Sequence, residues 1–145
     1  MKIEIANLQP RNIFPERLIR YVVNQVLSAE RVRRAHVSLA FVCDRRMQSL
    51  NKKFLNHDYP TDVLAFNMGN REGRKLDAEI IISTATAWRQ AREFGSTFER
   101  ELTLYIIHGL LHVLGYDDHS TRDTRKMRQR EELLMKKIFS DKLFL

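Results

Sequence analysis

Three imidazoles fall close together near the end of one apolar stretch: His108, His112 and His119. His108 and His112 are four residues apart, and positions i and i+4 of a helix lie one above the other on one face. Two imidazoles placed that way can reach a single metal ion. Gly115 then turns the chain, and Tyr116-Asp117-Asp118-His119 brings a third donor back toward the helix end. Three protein ligands leave a fourth position for water, which is the pattern of a catalytic zinc site rather than a closed structural one. Nitrogen donors favour zinc, and nickel, cobalt and iron share the same ligand type. The competing reading, core histidines satisfied by hydrogen bonds, suits a lone buried His better than this triplet.

The elements that must hold these residues can be read from periodicity. Residues 2–6 alternate as a short strand. Pro15 suits the first turn of a helix, and Leu18, Ile19, Val22, Val23, Val26 and Leu27 follow its amphipathic spacing. Residues 36–43 place Val37, Leu39, Phe41 and Cys43 on one strand face. Asp44 caps a helix with Met47, Leu50 and Phe54 inward. Residues 61–67 and 78–83 read as two further strands, joined by an exposed loop over 68–77. Ser83 caps a helix that ends at Gly95, and Ser96-Thr97-Phe98-Glu99 has capping-box spacing for the next one. That helix is apolar nearly all round from Leu102 to Leu114, so it belongs at the centre of the fold. A last helix runs from about Ser120 to Phe139 on a Met127, Leu134, Ile138 stripe. The order β-α-β-α-β-β-α-α-α predicts an α+β domain with a mixed four-stranded sheet, about five helices and a central buried metal-binding helix.

The 145 residues fit one domain, taken here as 1–145. One cysteine, Cys43, excludes an internal disulfide framework and a Cys-based zinc finger. No apolar run approaches a membrane span and the first residues lack a signal-peptide core, so a cytoplasmic protein is expected. The formal net charge of +7 points to a polyanionic partner, nucleic acid first. Its distribution is uneven. Residues 11–34 carry six Arg against Glu16 and Glu30, and residues 120–137 carry seven basic residues, Arg122 and Arg125 among them, against three acids. Such segments can follow an RNA backbone, or they are ordinary exposed helix faces. Trp88 and Tyr59 are aromatics that could stack on bases, though Trp88 also suits a core.

The histidine spacing is close to the metzincin pattern H-E-x-x-H-x-x-G-x-x-H, with a decisive departure. Gly109 stands where the protease has its Glu base, so a zincin-type protease is disfavoured. HGLLHVLGYDDH (108–119) instead resembles the H-G-x-x-H-x-x-G-Y-D-H signature of the YbeY endoribonucleases, the bacterial ribosomal RNA maturation factors. LNKKFLNHDYPTDVLAF (50–66) is similar to that family's L-N-x-x-[YF]…D-x-P-T-[DN]-V-L-[SA]-F segment, and AEIIIS (78–83) to its G-D-[IV]-x-I-S strand. The matches keep the family's order and span nearly the whole chain.

The resemblance implies a zinc-dependent hydrolase, with one Zn2+ per chain, that cleaves single-stranded RNA. It implies roles in 16S rRNA 3′-end maturation, ribosome quality control and small-subunit assembly. It also implies the small ribosomal subunit and an assembly GTPase as partners. His108 and His112 become the first two ligands. Family spacing puts the third at Asp118, while ligand type puts it at His119, one residue later. His119 is favoured and Asp118 is the alternative. Where the family often has a basic residue after the aromatic, this chain has Leu55. Lys52, Lys53 and His57 lie nearby and are the candidate substitutes for RNA contact, or Lys52 and Lys53 are a solvated face. His108 through its metal, and Asp117 (or Asp118 if it is not a ligand) as a group orienting water, carry the expected catalysis; a turn cap is the favoured reading of Asp117. A non-catalytic RNA-binding assembly factor with a structural metal is the alternative reading.

Overall fold

The computed structural model describes residues 1–12, 15–55, 62–69 and 75–140. His57 and Tyr59 lie outside them, as do the side chains of Phe54 and Leu55. The elements are β1 (Lys2–Asn7), α1 (Glu16–Ala29), β2 (Arg34–Val42), α2 (Asp44–Leu55), β3 (Val63–Asn67), β4 (Lys75–Ser83), α3 (Thr84–Glu93), α4 (Phe98–Val113) and α5 (Thr121–Phe139). The expected order and class hold: an α+β fold with a four-stranded mixed sheet and five helices.

The sheet runs β1-β2-β4-β3. β1, β2 and β4 are parallel neighbours, and β3 pairs antiparallel with β4. Parallel pairs need a crossover, and α1 supplies the one between β1 and β2. Alternation along β4 divides the two sheet faces. Ala78, Ile80 and Ile82 enter the main core with α1, α4 and α5, whereas Ile81 faces Met47 of α2 with Val42 and Leu64. So α4 and α2 cover opposite faces.

Several boundaries move from the sequence expectation, some through strand pairing and some through helix capping. β4 begins at Lys75, so Lys75–Asp77 leave the expected loop. β2 itself starts at Arg34, and the register Arg34↔Lys75 continues the ladder to the strand ends. β2 ends at Val42, which puts Cys43 in the connection to α2; it is exposed, not on the inward strand face. β3 starts at Val63 rather than 61. Pro15 sits at the N-cap of α1 and Glu16 opens the helix. Thr97, not Ser96, caps α4 by accepting the Arg100 N–H. Ser83 caps α3 through the Thr86 N–H, and Ser120 caps α5 through Asp123. Gly95 and Gly115 take positive φ after their helices, which only glycine adopts without steric cost.

α4 is the centre of the packing. Leu102, Ile106, Ile107, Leu110 and Leu111 are fully buried, and the helix touches α1, α3, α5, β3 and β4. Gly109 permits the approach to the sheet. A Cβ there would lie 2.8 Å from Ile80 Cγ2 and 3.1 Å from Val63 Cγ1. A protease-type Glu would have to occupy that same space, so the position that sets this site apart from a zincin is closed by packing.

Candidate active site

Four polar side chains interrupt the apolar surface of α4 along one stripe: Glu101, Tyr105, His108 and His112. Their spacing of four, three and four residues keeps them on one face. Burial pushes the Tyr105 phenol far above its ordinary value, and the charges of Asp62 and Glu101 add to that push. Burial likewise raises the Glu101 carboxyl, against a hydrogen bond from Tyr105. Asp62, just before β3, thus faces the stripe from the neighbouring strand.

His108 is the most enclosed of the expected ligands. Its side chain is 35% exposed, and its Nδ1 lies 3.5 Å from Glu131 Oε1 on α5. Hydrogen bonding to Glu131 raises the imidazole pKa against the opposing effect of burial; the charges of Glu131, Asp62 and Asp118 add to the rise. A carboxylate on Nδ1 fixes the ring and leaves Nε2 to face a ligand, the arrangement found behind metal-bound histidines. Glu131 was missed by sequence reasoning. Its signal was present, because Met127, Glu131, Leu134 and Ile138 share the α5 stripe, and a carboxylate on a buried stripe needs a partner. Only 13% of that side chain is exposed.

The other donors are less enclosed. His112 and His119 are exposed, and so is Asp118. Asp117 Oδ1 accepts the His119 N–H at 3.2 Å, so this carboxylate caps the turn. It lines a shallow pocket with Leu114, Gly115, Tyr116, Asp123 and Lys126, apart from the cleft lined by Asp118 and His119. Among the described residues, no group of three or more His, Cys, Asp or Glu side chains is gathered closely enough to hold a metal. The expected central helix is present, and its metal-binding character rests on donor type and spacing.

A second missed cluster anchors the turn. Tyr116 Oη donates to Glu30 Oε2 at 3.0 Å, and Arg130 Nε donates to Glu30 Oε1 at 2.5 Å. Arg130 Nη2 also reaches the Ala29 carbonyl at 3.3 Å. Burial, followed by the bond to Glu30, raises the Tyr116 phenol. Glu30 ends α1, and the next residue, Arg31, holds φ at +60°, a left-handed conformation that costs a non-glycine residue roughly 1–2 kcal/mol. The end of α1, the histidine turn and α5 are therefore joined at one carboxylate.

The expected RNA contacts divide. Arg122 and Arg125 are exposed on the first turns of α5, and Arg125 lines the same cleft as Asp118 and His119. Lys52 and Lys53 are exposed on α2, across the sheet from α4. Trp88 packs against the main core and stacks on Phe98 with ring centroids 4.5 Å apart, which is its core role.

Comparison with known proteins decides the family. The model of the family described as endoribonuclease YbeY matches residues 4–139. The chain belongs to the YbeY endoribonuclease family. A YbeY endoribonuclease of Carboxydothermus hydrogenoformans is 36% identical over 135 residues, covering 91% of this chain and 94% of the relative. The Desulfitobacterium hafniense YbeY is 41% identical over 121 residues, with 77% and 76% covered. The solution structure of a Thermotoga maritima protein superposes with a TM-score of 0.67 at 26% identity, covering 95% of this chain and 89% of that one. The histidine stripe of α4, its turn and the Glu131 support all fall within the YbeY match.

Proposed function

We propose that this chain is a zinc-dependent, single-strand-specific endoribonuclease that acts in 16S rRNA 3′-end maturation and ribosome quality control. Membership of an endoribonuclease family makes RNA its substrate and phosphodiester hydrolysis its reaction. The observation that carries the finer reading is the His108–Glu131 pair, which commits Nδ1 and leaves Nε2 for an external ligand. Donor chemistry fits zinc: His108 and His112 would hold it, with His119, or Asp118 in its place, as the third ligand. When bound, zinc supplies a Lewis acid for the phosphate and lowers the pKa of water.

The chain's own residues do the rest. Glu131 orients His108 and balances its charge. Tyr116, through Glu30, steadies the turn that carries Asp117, Asp118 and His119. Asp117 holds that turn's shape, and orienting water is its second proposed role. Arg122 and Arg125 meet the RNA backbone near the turn; Lys52, Lys53 and His57 are proposed contacts on the α2 side. The cytoplasm, the small ribosomal subunit and an assembly GTPase complete the proposal. No described helix is long and apolar enough to cross a membrane.

The test is metal analysis of the purified protein with RNA cleavage by wild type and His108→Ala. Metal-dependent cleavage of single-stranded RNA, lost in the variant, is the expected result. RNA binding with no cleavage by either protein overturns it in favour of an assembly factor with a structural metal. That alternative is kept in play by Leu55 at the family's basic position. Zinc stoichiometry in His119→Ala and Asp118→Ala assigns the third ligand; full occupancy in His119→Ala moves it to Asp118.

A further inference from the structure

α4 and α5 run antiparallel, with His108 beside Glu131 at one point and Arg100 over the Phe139 ring at another. Between those pairs lies a cleft of about 750 Å³. That is within the usual size of a small-ligand site. Glu131 lines it, so the cleft begins at the carboxylate that supports His108. From there to Arg100 the helix rises about 12 Å at the standard rise per residue.

The lining is apolar in part and charged in part, with Arg100, Arg128 and Lys136 set against Glu101, Glu131 and Glu132. Leu104, Met135 and Phe139 offer apolar faces, and the Arg100 guanidinium already lies 4.6 Å from the Phe139 ring centroid. That pairing forms a flat cationic platform of the kind on which unpaired bases stack. Arg128 lies at the border with the neighbouring cleft of Asp118 and His119 and lines both. Among the described residues it forms no ion pair, whereas Glu131 is already engaged with His108. Glu132 lines both clefts as well, so where they meet the Arg128 guanidinium stands without an ion pair beside a second charged side chain that also forms none among the described residues.

We propose that this α4/α5 cleft is a nucleotide subsite for single-stranded RNA, with Arg128 holding a phosphate and Phe139 with Arg100 stacking a base beside the one cleaved. The proposal rests on the endoribonuclease reading and extends it to the strand flanking the cut. It also explains a preference for single strands, since a base can reach a cleft floored by side chains only when it is not paired.

The experiment measures binding of a fluorescein-labelled short single-stranded RNA to the metal-stripped full chain, across a salt series, with KM and kcat measured on the zinc-loaded enzyme. Arg128→Ala is expected to weaken binding several-fold and to reduce the salt slope by about one. Phe139→Ala is expected to weaken binding about 10-fold or more and to raise KM with little change in kcat. Arg92→Ala removes an equal charge from α3 and serves as the control. If Arg128→Ala binds RNA with wild-type affinity and salt slope, the subsite is overturned, while cleavage by the wild type keeps the parent reading. Arg128 is exposed, so this outcome is readable even if Phe139→Ala fails to fold. If the wild type neither binds nor cleaves RNA, the parent reading falls and takes the subsite with it.

Discussion

Two carboxylates, Glu30 and Asp44, do similar work in different surroundings. Glu30 gathers Tyr116 and Arg130 to the end of α1, on the side of the fold that carries the histidines. Asp44 opens α2 and gathers Ser83, Thr86 and Arg89 from the end of β4 and from α3. Each ties segments that are far apart in the chain. The Glu30 side chain is 13% exposed and faces a largely covered arginine. Asp44 is 30% exposed, and its partner Arg89 is 55% exposed. Solvent competes for the second pair and screens it, so Asp44 contributes less although it accepts from three side chains and Glu30 from two. Of the two, the Glu30 cluster is the one that touches the turn presenting Asp118 and His119, so the two sites also separate stability from activity.

The sharpest test of that difference is Glu30→Ala. It strands Arg130 and removes the acceptor for Tyr116 in a mostly buried place. The expected loss is about 2–3 kcal/mol by urea unfolding. If the proposed zinc site is right, zinc retention should fall with it, because the turn loses its tie to α1. A loss below about 0.5 kcal/mol would show the cluster to be no stronger than a surface pair. Arg130→Lys keeps the charge and gives up the fork that reaches both Glu30 and the Ala29 carbonyl. It should cost about 1–2 kcal/mol by the same measurement. Tyr116→Phe deletes one hydroxyl and should cost about 1 kcal/mol. In a Glu30→Ala background the same change should cost almost nothing, and a full additive loss would mean the hydroxyl has another partner.

These clusters also mark what could be read from the chain. The nine elements were legible because their signals are local: alternation in the strands, i, i+3, i+4 spacing in α1, Ser83 as a cap and the apolar stripe of α5. Boundaries slipped where a neighbour decides them. Lys75 is a strand residue because Arg34 is opposite it, and no composition rule for 68–77 carries that information. His108 and His112 were legible for the same local reason, since one helix brings them together. Glu131 and Glu30 were not, because each meets its partner only after separate helices have packed. Burial on the α5 stripe was the one hint for Glu131. For Glu30, which lies in an Arg-rich segment, the surrounding charges read as a solvated basic face.

Asp44→Asn closes the comparison from the weak side. Asp44 is the first residue of α2, with Cys43 rather than the expected Asp44 at the cap position, so the near-isosteric asparagine tests the charge and its bonds to Ser83, Thr86 and Arg89. Burial alone would raise the Asp44 carboxyl, but hydrogen bonds from Ser83 and Arg89 and the Arg89 charge hold it below its ordinary 3.8. A depressed carboxyl binds its proton more weakly in the folded state than in the unfolded chain. Its contribution is therefore present above the unfolded value and disappears as pH falls through the folded one. Screening at this exposure keeps the contribution under about 1 kcal/mol. The wild type should thus exceed Asp44→Asn in urea stability near pH 7, and the gap should shrink as pH falls below the ordinary 3.8. RNA cleavage at neutral pH should be unchanged, because Asp44 lies against α3 and the sheet face covered by α2. A gap that stays constant down to about pH 2 would mean that the substitution disturbs packing rather than charge.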